Sequence, residues 1–251
     1  MKKTALITGA TSGIGMATAK RFAEDGIRLI ICGRRKERLE TLKNELSSKT
    51  DVYTLEFDVR NKTAVQEAII SLPEDFSKID ILINNAGNAH GLDPIQNGNT
   101  DDWDAMMDIN VKGLLYVSKA IIPKMIEQKS GHIINIGSTA GKEVYPNGNV
   151  YCASKHAVDA INQGMRMDLN EHGIRVGAVN PGLVETEFSE VRFKGDTDRA
   201  SKVYDGFQAL QAENIADIIH FVVTRPYHVN IADLVVLPTA QASSTMVKKD
   251  N

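Results

Sequence analysis

Short runs that are apolar throughout alternate along the chain with longer stretches in which apolar residues recur at spacings of three and four. Runs of the first kind indicate strands buried on both faces, and stretches of the second kind indicate one face of a helix. The pattern predicts strands at 4–8, 28–32, 51–57, 79–84, 132–137, 174–180 and 233–237. It predicts helices at about 13–25, 36–46, 61–71, 102–129, 150–172 and 213–224.

This alternation predicts a parallel sheet covered by helices on both faces. No linker or internal repeat divides residues 1–251, so we expect a single α/β domain, doubly wound and of Rossmann type, with a mainly parallel sheet of about seven strands. The alternation of predicted strands and helices is interrupted at about 185–212, a stretch called the polar segment below. Sheets of this kind bind ligands beyond the carboxyl ends of their strands.

Composition and charge limit the possible functions. The chain is 42% hydrophobic, has a formal net charge of -3 and contains no basic run typical of a nucleic-acid surface. Cys32 and Cys152 show no metal-ligand spacing, so neither a metal site nor a disulfide framework is expected. The apolar run near the N-terminus is too short for a signal peptide, and no window reaches membrane-spanning length. We therefore expect a cytoplasmic protein.

The segment TGATSGIG, residues 8–15, joins the first predicted strand to the first predicted helix. Its glycines let backbone N–H groups approach a phosphate, and the start of a helix favours an anion. A glycine-rich turn without a ligand is the alternative, but the position after the first strand favours a dinucleotide site. The candidate cofactor-binding residues of this turn are Gly9, Thr11, Ser12, Gly13, Ile14 and Gly15.

Tyr151 and Lys155 are four residues apart in a predicted helix, which places them on one face. A free tyrosine has a pKa near ~10, and an adjacent ammonium is expected to lower it toward the range of a useful acid and base. An exposed pair without a catalytic role is the alternative for these two residues alone. Ser138 ends the fifth predicted strand, where its hydroxyl would hold a substrate oxygen beside Tyr151.

Five motifs occur in the order shown by the short-chain dehydrogenase/reductase family, namely TGATSGIG, NNAG at 84–87, Asn110, Ser138 and YxxxK at 151–155. This resemblance spans nearly the whole chain. The segments INIGSTAG, GNVY, PGLVETEFSEVRFKGD and HVNIADLVVLPTAQ further resemble the NADP-dependent 3-hydroxy acid dehydrogenase branch. The resemblance implies hydride transfer between NADP and a 3-hydroxy or 3-oxo acid, of the serine, L-allo-threonine or 3-hydroxypropionate type.

The resemblance also implies roles for individual residues. Ser138, Tyr151 and Lys155 would be catalytic, with Lys155 also bonded to the nicotinamide ribose. Asn110 would support a water-linked proton path to Lys155, and an ordinary polar residue or a helix kink is the alternative there. Further cofactor contacts are implied at Asn85, Ala86, Gly87, Pro181, Gly182, Val184 and Thr186. A homo-oligomer, a tetramer, is implied through the helices at 102–129 and 150–172.

The residues after the second predicted strand favour NADP over NAD. An acidic residue that would bind a ribose 2′-hydroxyl is missing there, and Arg34 and Arg35 would instead meet a 2′-phosphate. A basic start to a solvated helix is the alternative, since the charged run continues through 36–38. Asp58 and Val59, after the third strand, are expected to border the adenine.

The polar segment is expected to close over a substrate that carries a carboxylate. Arg192 in this segment would hold the carboxylate by two parallel hydrogen bonds, and closure would exclude water. A solvated charged loop is the alternative for Arg192. Two other functions also remain open, a reductase of a different carbonyl compound and a protein that senses NADP(H) without turnover.

Overall fold

The structure is a computed structural model that describes residues 2–250. Its strands are β1 (Thr4–Thr8), β2 (Arg28–Gly33), β3 (Val52–Glu56), β4 (Ile81–Asn84), β5 (Gly131–Ile136), β6 (Ile174–Pro181), β7 (Val184–Glu185), β8 (Leu210–Gln211) and β9 (Asp233–Val236). Seven of them form one parallel sheet in the order β3-β2-β1-β4-β5-β6-β9, and β7 pairs with β8. The order reverses between β1 and β4, which is where such sheets bind ligands.

The helices are α1 (Gly13–Glu24), α2 (Lys36–Leu46), α3 (Lys62–Ile70), α4 (Glu74–Ser77), α5 (Thr100–Met107), α6 (Leu114–Glu127), α7 (Asn149–Asp168), α8 (Phe188–Arg192), α9 (Thr197–Ser201) and α10 (Ala212–Thr224). Successive residues of β1 point to opposite faces of the sheet. Ala5 and Ile7 pack with Phe22 of α1 in one core, and Leu6 packs with Ile121 of α6 in the other. The doubly wound α/β prediction is therefore confirmed.

The predicted helix at 102–129 differs from the structure. The structure contains α5 and α6 separated by a π-helical turn at Asp108–Gly113. Gly113 in this turn packs so closely on Val59 that a Cβ there would lie 2.6 Å from the valine methyl group. Local helix propensity does not encode such a contact with a distant strand end, so the predicted helix is present but its π-helical turn was not predicted. A π-helical turn of this kind often marks a functional site.

The polar segment contains short elements that the pattern did not predict, namely β7, α8, α9 and β8. Each has only two to five residues, which is too short for a periodic signal. In the part of the chain that the structure describes, no helix is long and apolar enough to cross a membrane. Cys32 and Cys152 are both buried free thiols.

Candidate active site

A cavity of about 520 Å³ is lined by residues that directly follow the strands of the central sheet. Gly9 follows β1, Asn85 follows β4, Gly137 follows β5 and Gly182 follows β6. Because parallel strands bring their carboxyl ends to one edge, motifs that are far apart in sequence meet here. The polar segment also lines the cavity, through Thr186, Glu187, Phe188 and Arg192.

The glycine turn after β1 is closely packed. Gly9 and Gly13 adopt φ values of 66° and 50°, a region that favours glycine. A Cβ on Gly15 would lie 2.4 Å from the Gly9 carbonyl oxygen, and the Asn85 amide donates a hydrogen bond of 2.9 Å to the Thr8 carbonyl. These contacts hold the first turn of α1 beside the cavity, where its backbone N–H groups can receive an anion.

Ser138, Tyr151 and Lys155 all line the cavity, as the motifs predict. Tyr151 and Lys155 lie one turn apart on α7, and the Lys155 Nζ atom is 6.0 Å from the centre of the Tyr151 ring. Lys155 donates a hydrogen bond of 3.0 Å to the Ile136 carbonyl oxygen. The arrangement gives a phenol, a hydroxyl and an amine access to one small volume.

The ionisation of this group differs from the sequence-based expectation. Burial raises the pKa of the Tyr151 phenol above its usual value, as does the neighbouring Tyr145, and a hydrogen bond with Ser138 offsets only part of the rise. Burial also lowers the pKa of Lys155 to about 8. In the protein without cofactor, burial thus outweighs the lowering expected from the Lys155 ammonium, and a lowered phenol pKa in the cofactor-bound site stays a prediction. Desolvation outweighs an amine that is directed at a carbonyl, so a phenolate needs positive charge from elsewhere.

Asn110 lies in the π-helical turn and is buried. Its side-chain oxygen accepts a hydrogen bond of 2.8 Å from the Asn88 backbone N–H, and its amide donates to the Asn88 carbonyl and to the Ser154 hydroxyl. It therefore ties the chain after β4 to α7, which carries Tyr151. A Cβ on Gly87 would lie 3.1 Å from the Asn110 oxygen and 3.6 Å from Lys155 Nζ. The water-linked path stays a prediction.

Arg34 and Arg35 both line the cavity, and Arg35 lies beside the glycine turn. The Arg35 guanidinium donates hydrogen bonds of 2.8 Å to the Thr11 and Ser12 hydroxyls. Arg34 is 61% exposed, and its Nη1 atom is 3.7 Å from the Asp58 carboxylate. The residues after β2 thus place two guanidinium groups at the cavity, and that of Arg35 is fixed by hydrogen bonds.

Arg192 is not a solvated loop residue. Its guanidinium carbon lies 5.6 Å from the ring centre of Tyr151 and 5.6 Å from that of Tyr145. Its Nε donates a hydrogen bond of 3.1 Å to the Gly91 carbonyl, while its Nη2 is buried without a hydrogen-bond partner. A buried N–H group without an acceptor is costly, and an anionic ligand would satisfy it.

Three residues that contribute to the cavity or to its charges escaped the sequence analysis, namely Tyr145, Glu187 and Arg38. The Tyr145 ring lies against Gly148, where a Cβ would come within 2.1 Å of the ring. Glu187 forms ion pairs with Arg35 and Arg38 at 3.0 and 2.6 Å. Neither the contact with Arg192 nor the ion pairs of Glu187 have a local signal in the sequence.

Most of the other predicted cofactor residues also line the cavity. They are Gly9, Thr11, Ser12, Gly13, Ile14, Asp58, Val59, Asn85, Ala86, Gly87, Pro181, Gly182, Val184 and Thr186. Gly15 does not reach the cavity wall, because it packs behind the turn against Gly9 and Asn85. Its role is to allow the turn to close.

Comparison with known proteins identifies relatives over nearly the full length. Residues 3–197 match the family model of short chain dehydrogenases. The chain is 47% identical over 238 residues to the NADP-dependent 3-hydroxy acid dehydrogenase YdfG of Salmonella typhi, which covers 94% of this chain and 95% of the relative. It is 46% identical over 245 residues to sulfoacetaldehyde reductase 2 of Chromohalobacter salexigens, which covers 97% of each.

A solved structure has the same architecture. The closed form of a serine dehydrogenase complexed with NADP+ superposes with a TM-score of 0.93 at 44% identity, over 99% of this chain and 100% of that chain. The match of the whole fold, together with the matched family model, confirms the resemblance that the five motifs indicated. The chain belongs to the short-chain dehydrogenase family.

Proposed function

We propose that the protein is an NADP-dependent oxidoreductase that transfers a hydride between the nicotinamide and a 3-hydroxy acid or the matching 3-oxo acid. The observation that carries the proposal is Arg192, whose guanidinium lies beside the Tyr151 ring with one buried N–H group unpaired. A short substrate would place its oxygen at Tyr151 and its acid group at Arg192. The relatives named for 3-hydroxy acids, serine and sulfoacetaldehyde all have substrates of this kind, small molecules with an anionic group.

The residues present fit a dinucleotide that carries a 2′-phosphate. Gly9 and Gly13 keep side chains out of the turn where the pyrophosphate would lie, and Arg35 is already held beside that turn by Thr11 and Ser12. Arg34 and Arg35 would hold the 2′-phosphate as guanidinium partners. When bound, the cofactor supplies the hydride acceptor or donor.

The chain's own residues would handle the proton. In the reducing direction Tyr151 donates its proton to the substrate oxygen, and in the oxidising direction it removes the alcohol proton. Ser138 would hold the same oxygen by a hydrogen bond. The Lys155 ammonium and the positive charge of the oxidised nicotinamide would together favour the phenolate, which burial alone disfavours. Phe188, whose ring centre is 5.7 Å from that of Tyr151, would exclude water.

The substrate class is tested by a panel assayed with NADP+ or NADPH. The panel includes serine, L-allo-threonine, 3-hydroxybutyrate, 3-hydroxypropionate, malonic semialdehyde and sulfoacetaldehyde, each hydroxy acid beside its methyl ester. We expect the free acids to be preferred over the esters mainly through KM. Equal turnover of ester and acid would contradict an acid-binding site and leave a reductase of another carbonyl compound. Binding of NADPH without turnover of any compound would indicate a sensing protein.

The cofactor contacts are tested by replacing Arg34 and Arg35 together with glutamine. We expect the affinity for NADP+ to fall much more than the affinity for NAD+, since only NADP+ has the 2′-phosphate. Lys36→Gln is the matched control, because Lys36 is exposed at the start of α2 and does not line the cavity. Equal weakening of both cofactors would contradict the phosphate contact.

We also infer that the protein is a homo-oligomer, a tetramer by family resemblance. Large apolar side chains stay exposed on the helices expected at the interface, with Met167 72% and Leu115 39% exposed. Native mass spectrometry tests this inference, and a monomer at micromolar concentration would contradict it.

A further inference from the structure

Arg35 and Arg38, at the start of α2, already pair with an anionic side chain, that of Glu187. One carboxylate oxygen of Glu187 is 3.0 Å from the Arg35 Nη1 atom, and the other is 2.6 Å from the Arg38 Nη1 atom. Glu187 belongs to the polar segment and lies 152 residues after Arg35, so the contact joins two distant parts of the chain. Both the carboxylate and the guanidinium of Arg35 line the same cavity.

Among residues 2–250, Glu187 is the acidic side chain that pairs with Arg35. Its Nε and Nη2 atoms donate to the Thr11 and Ser12 hydroxyls, which are neutral, and its Nη1 atom donates to Glu187. A phosphate that approaches this guanidinium would meet the carboxylate at the same donor. Two anions at one guanidinium repel each other, so a bound phosphate and the Glu187 contact disfavour each other.

We propose that Glu187 competes with the cofactor's 2′-phosphate for Arg35 and Arg38, and thereby sets how strongly the protein prefers NADP over NAD. This rests on the proposed function, in which Arg35 contacts that phosphate. A cofactor without the phosphate leaves the Glu187 contacts intact. A cofactor with the phosphate displaces the carboxylate and frees the adjoining part of the polar segment, where Thr186 packs over Gly13.

The expected effect is modest because all three side chains are partly exposed. Glu187 is 40% exposed, Arg35 42% and Arg38 49%, and ion pairs at such exposure are weak. Removal of the competing carboxylate should therefore tighten phosphate binding by about three- to tenfold. High salt should reduce the difference, since exposed charges are screened.

Calorimetry with two small ligands tests the competition without any catalytic step. Adenosine 2′,5′-bisphosphate has the 2′-phosphate and adenosine 5′-monophosphate lacks it. In Glu187→Gln we expect the bisphosphate to bind about three- to tenfold more tightly, with unchanged binding of the monophosphate. Glu190→Gln is the matched control, because Glu190 lies three residues further along, in α8, is exposed and forms no ion pair within residues 2–250. It should change neither affinity.

Arg35→Gln separates failure of this inference from failure of the cofactor assignment. If Arg35→Gln weakens the bisphosphate alone and Glu187→Gln does not tighten it, the competition is overturned while the phosphate contact stands. If Arg35→Gln weakens both ligands equally, the phosphate contact itself fails. A tightening of both ligands in Glu187→Gln, or an equal change in Glu190→Gln, would reflect general charge and also overturn the competition.

Discussion

The cavity wall formed by the strand ends and α7 is fixed by buried contacts, whereas the polar segment, the second wall, adds ion pairs between exposed side chains to its buried contacts. On the first wall Tyr151 is 8% and Lys155 7% exposed, and Asn110 is bonded to backbone and hydroxyl groups. On the second, Glu187 pairs with exposed arginines and Lys194 pairs with Asp102 at 2.9 Å. Arg192 and Phe188 are exceptions, since both lie beside the Tyr151 ring.

The difference between the two walls suits two different tasks, proton transfer and the admission of a substrate. A proton-transfer group needs a fixed position and a controlled pKa, and burial supplies both. A segment that admits and covers a substrate needs contacts that break at little cost, and exposed ion pairs contribute only about 0–1 kcal/mol each. Changes on the first wall should therefore alter chemistry strongly, and changes at the surface of the second should alter it weakly.

Tyr151→Phe should give the largest effect. It removes only the hydroxyl that exchanges the proton, so kcat should fall by about 10²–10⁴-fold while the Kd for NADPH changes little. The ring contact with Phe188 persists, so the fold should survive. Single-turnover kinetics and cofactor fluorescence measure the two quantities. A kcat near that of the wild type would contradict the role of Tyr151 and remove the main contrast between the walls.

Lys155→Met should separate activity from stability. A buried lysine whose pKa falls from 10.5 to about 8 costs the folded state up to about 3 kcal/mol at pH 7. Methionine removes this cost but leaves the Ile136 carbonyl without its donor, a loss of about 1 kcal/mol. The cofactor-free variant should therefore gain about 2 kcal/mol at pH 7 while turnover and NADPH affinity fall.

The pH dependence checks the cause of this gain. Because the folded-state pKa is lowered, the cost of the wild-type lysine is fully present below pH 8 and fades as the pH rises toward 10.5. The stability difference between variant and wild type should shrink over that range in urea unfolding. A difference that stays constant with pH would mean that packing, not the buried charge, explains it.

Much of the first wall could be predicted from the sequence because three of its motifs directly follow strands. Gly9, Asn85 and Ser138 follow β1, β4 and β5 or lie within two residues of them, so the sheet alone brings them together. The position of Arg192 had no such signal, because its partners Gly91 and Tyr145 depend on how the polar segment folds back. The rise that burial causes in the pKa of Tyr151 had no local signal either, since burial is a property of the whole fold.

Arg192→Ala tests whether Arg192, which lies in the second wall beside the Tyr151 ring, acts on the substrate. We expect KM for a free 3-hydroxy acid to rise by about 10–100-fold, with little change for its methyl ester, since a charge-assisted pair contributes roughly 1.5–3 kcal/mol. Arg199→Ala is the matched control, because Arg199 lies in the same segment and stacks on Phe193 at 4.4 Å but does not line the cavity. Equal loss with acid and ester would indicate that Arg192 only supports Tyr145 and Tyr151.

Lys194→Met should have the smallest effect, although Lys194 is only two residues from Arg192. Its ammonium pairs with Asp102 of α5 at 2.9 Å, and the lysine is 59% exposed, so the pair should contribute less than about 1 kcal/mol. We expect KM and kcat within about twofold of the wild type, and any stability loss in 50 mM salt should vanish in 1 M salt, where the screening length falls to about 3 Å. Lys194 has a φ of 55°, and because lysine and methionine both carry an unbranched side chain on Cβ, the substitution should not change backbone strain. A rise in KM that persists in 1 M salt would show that this surface contact positions the polar segment as firmly as burial positions Tyr151.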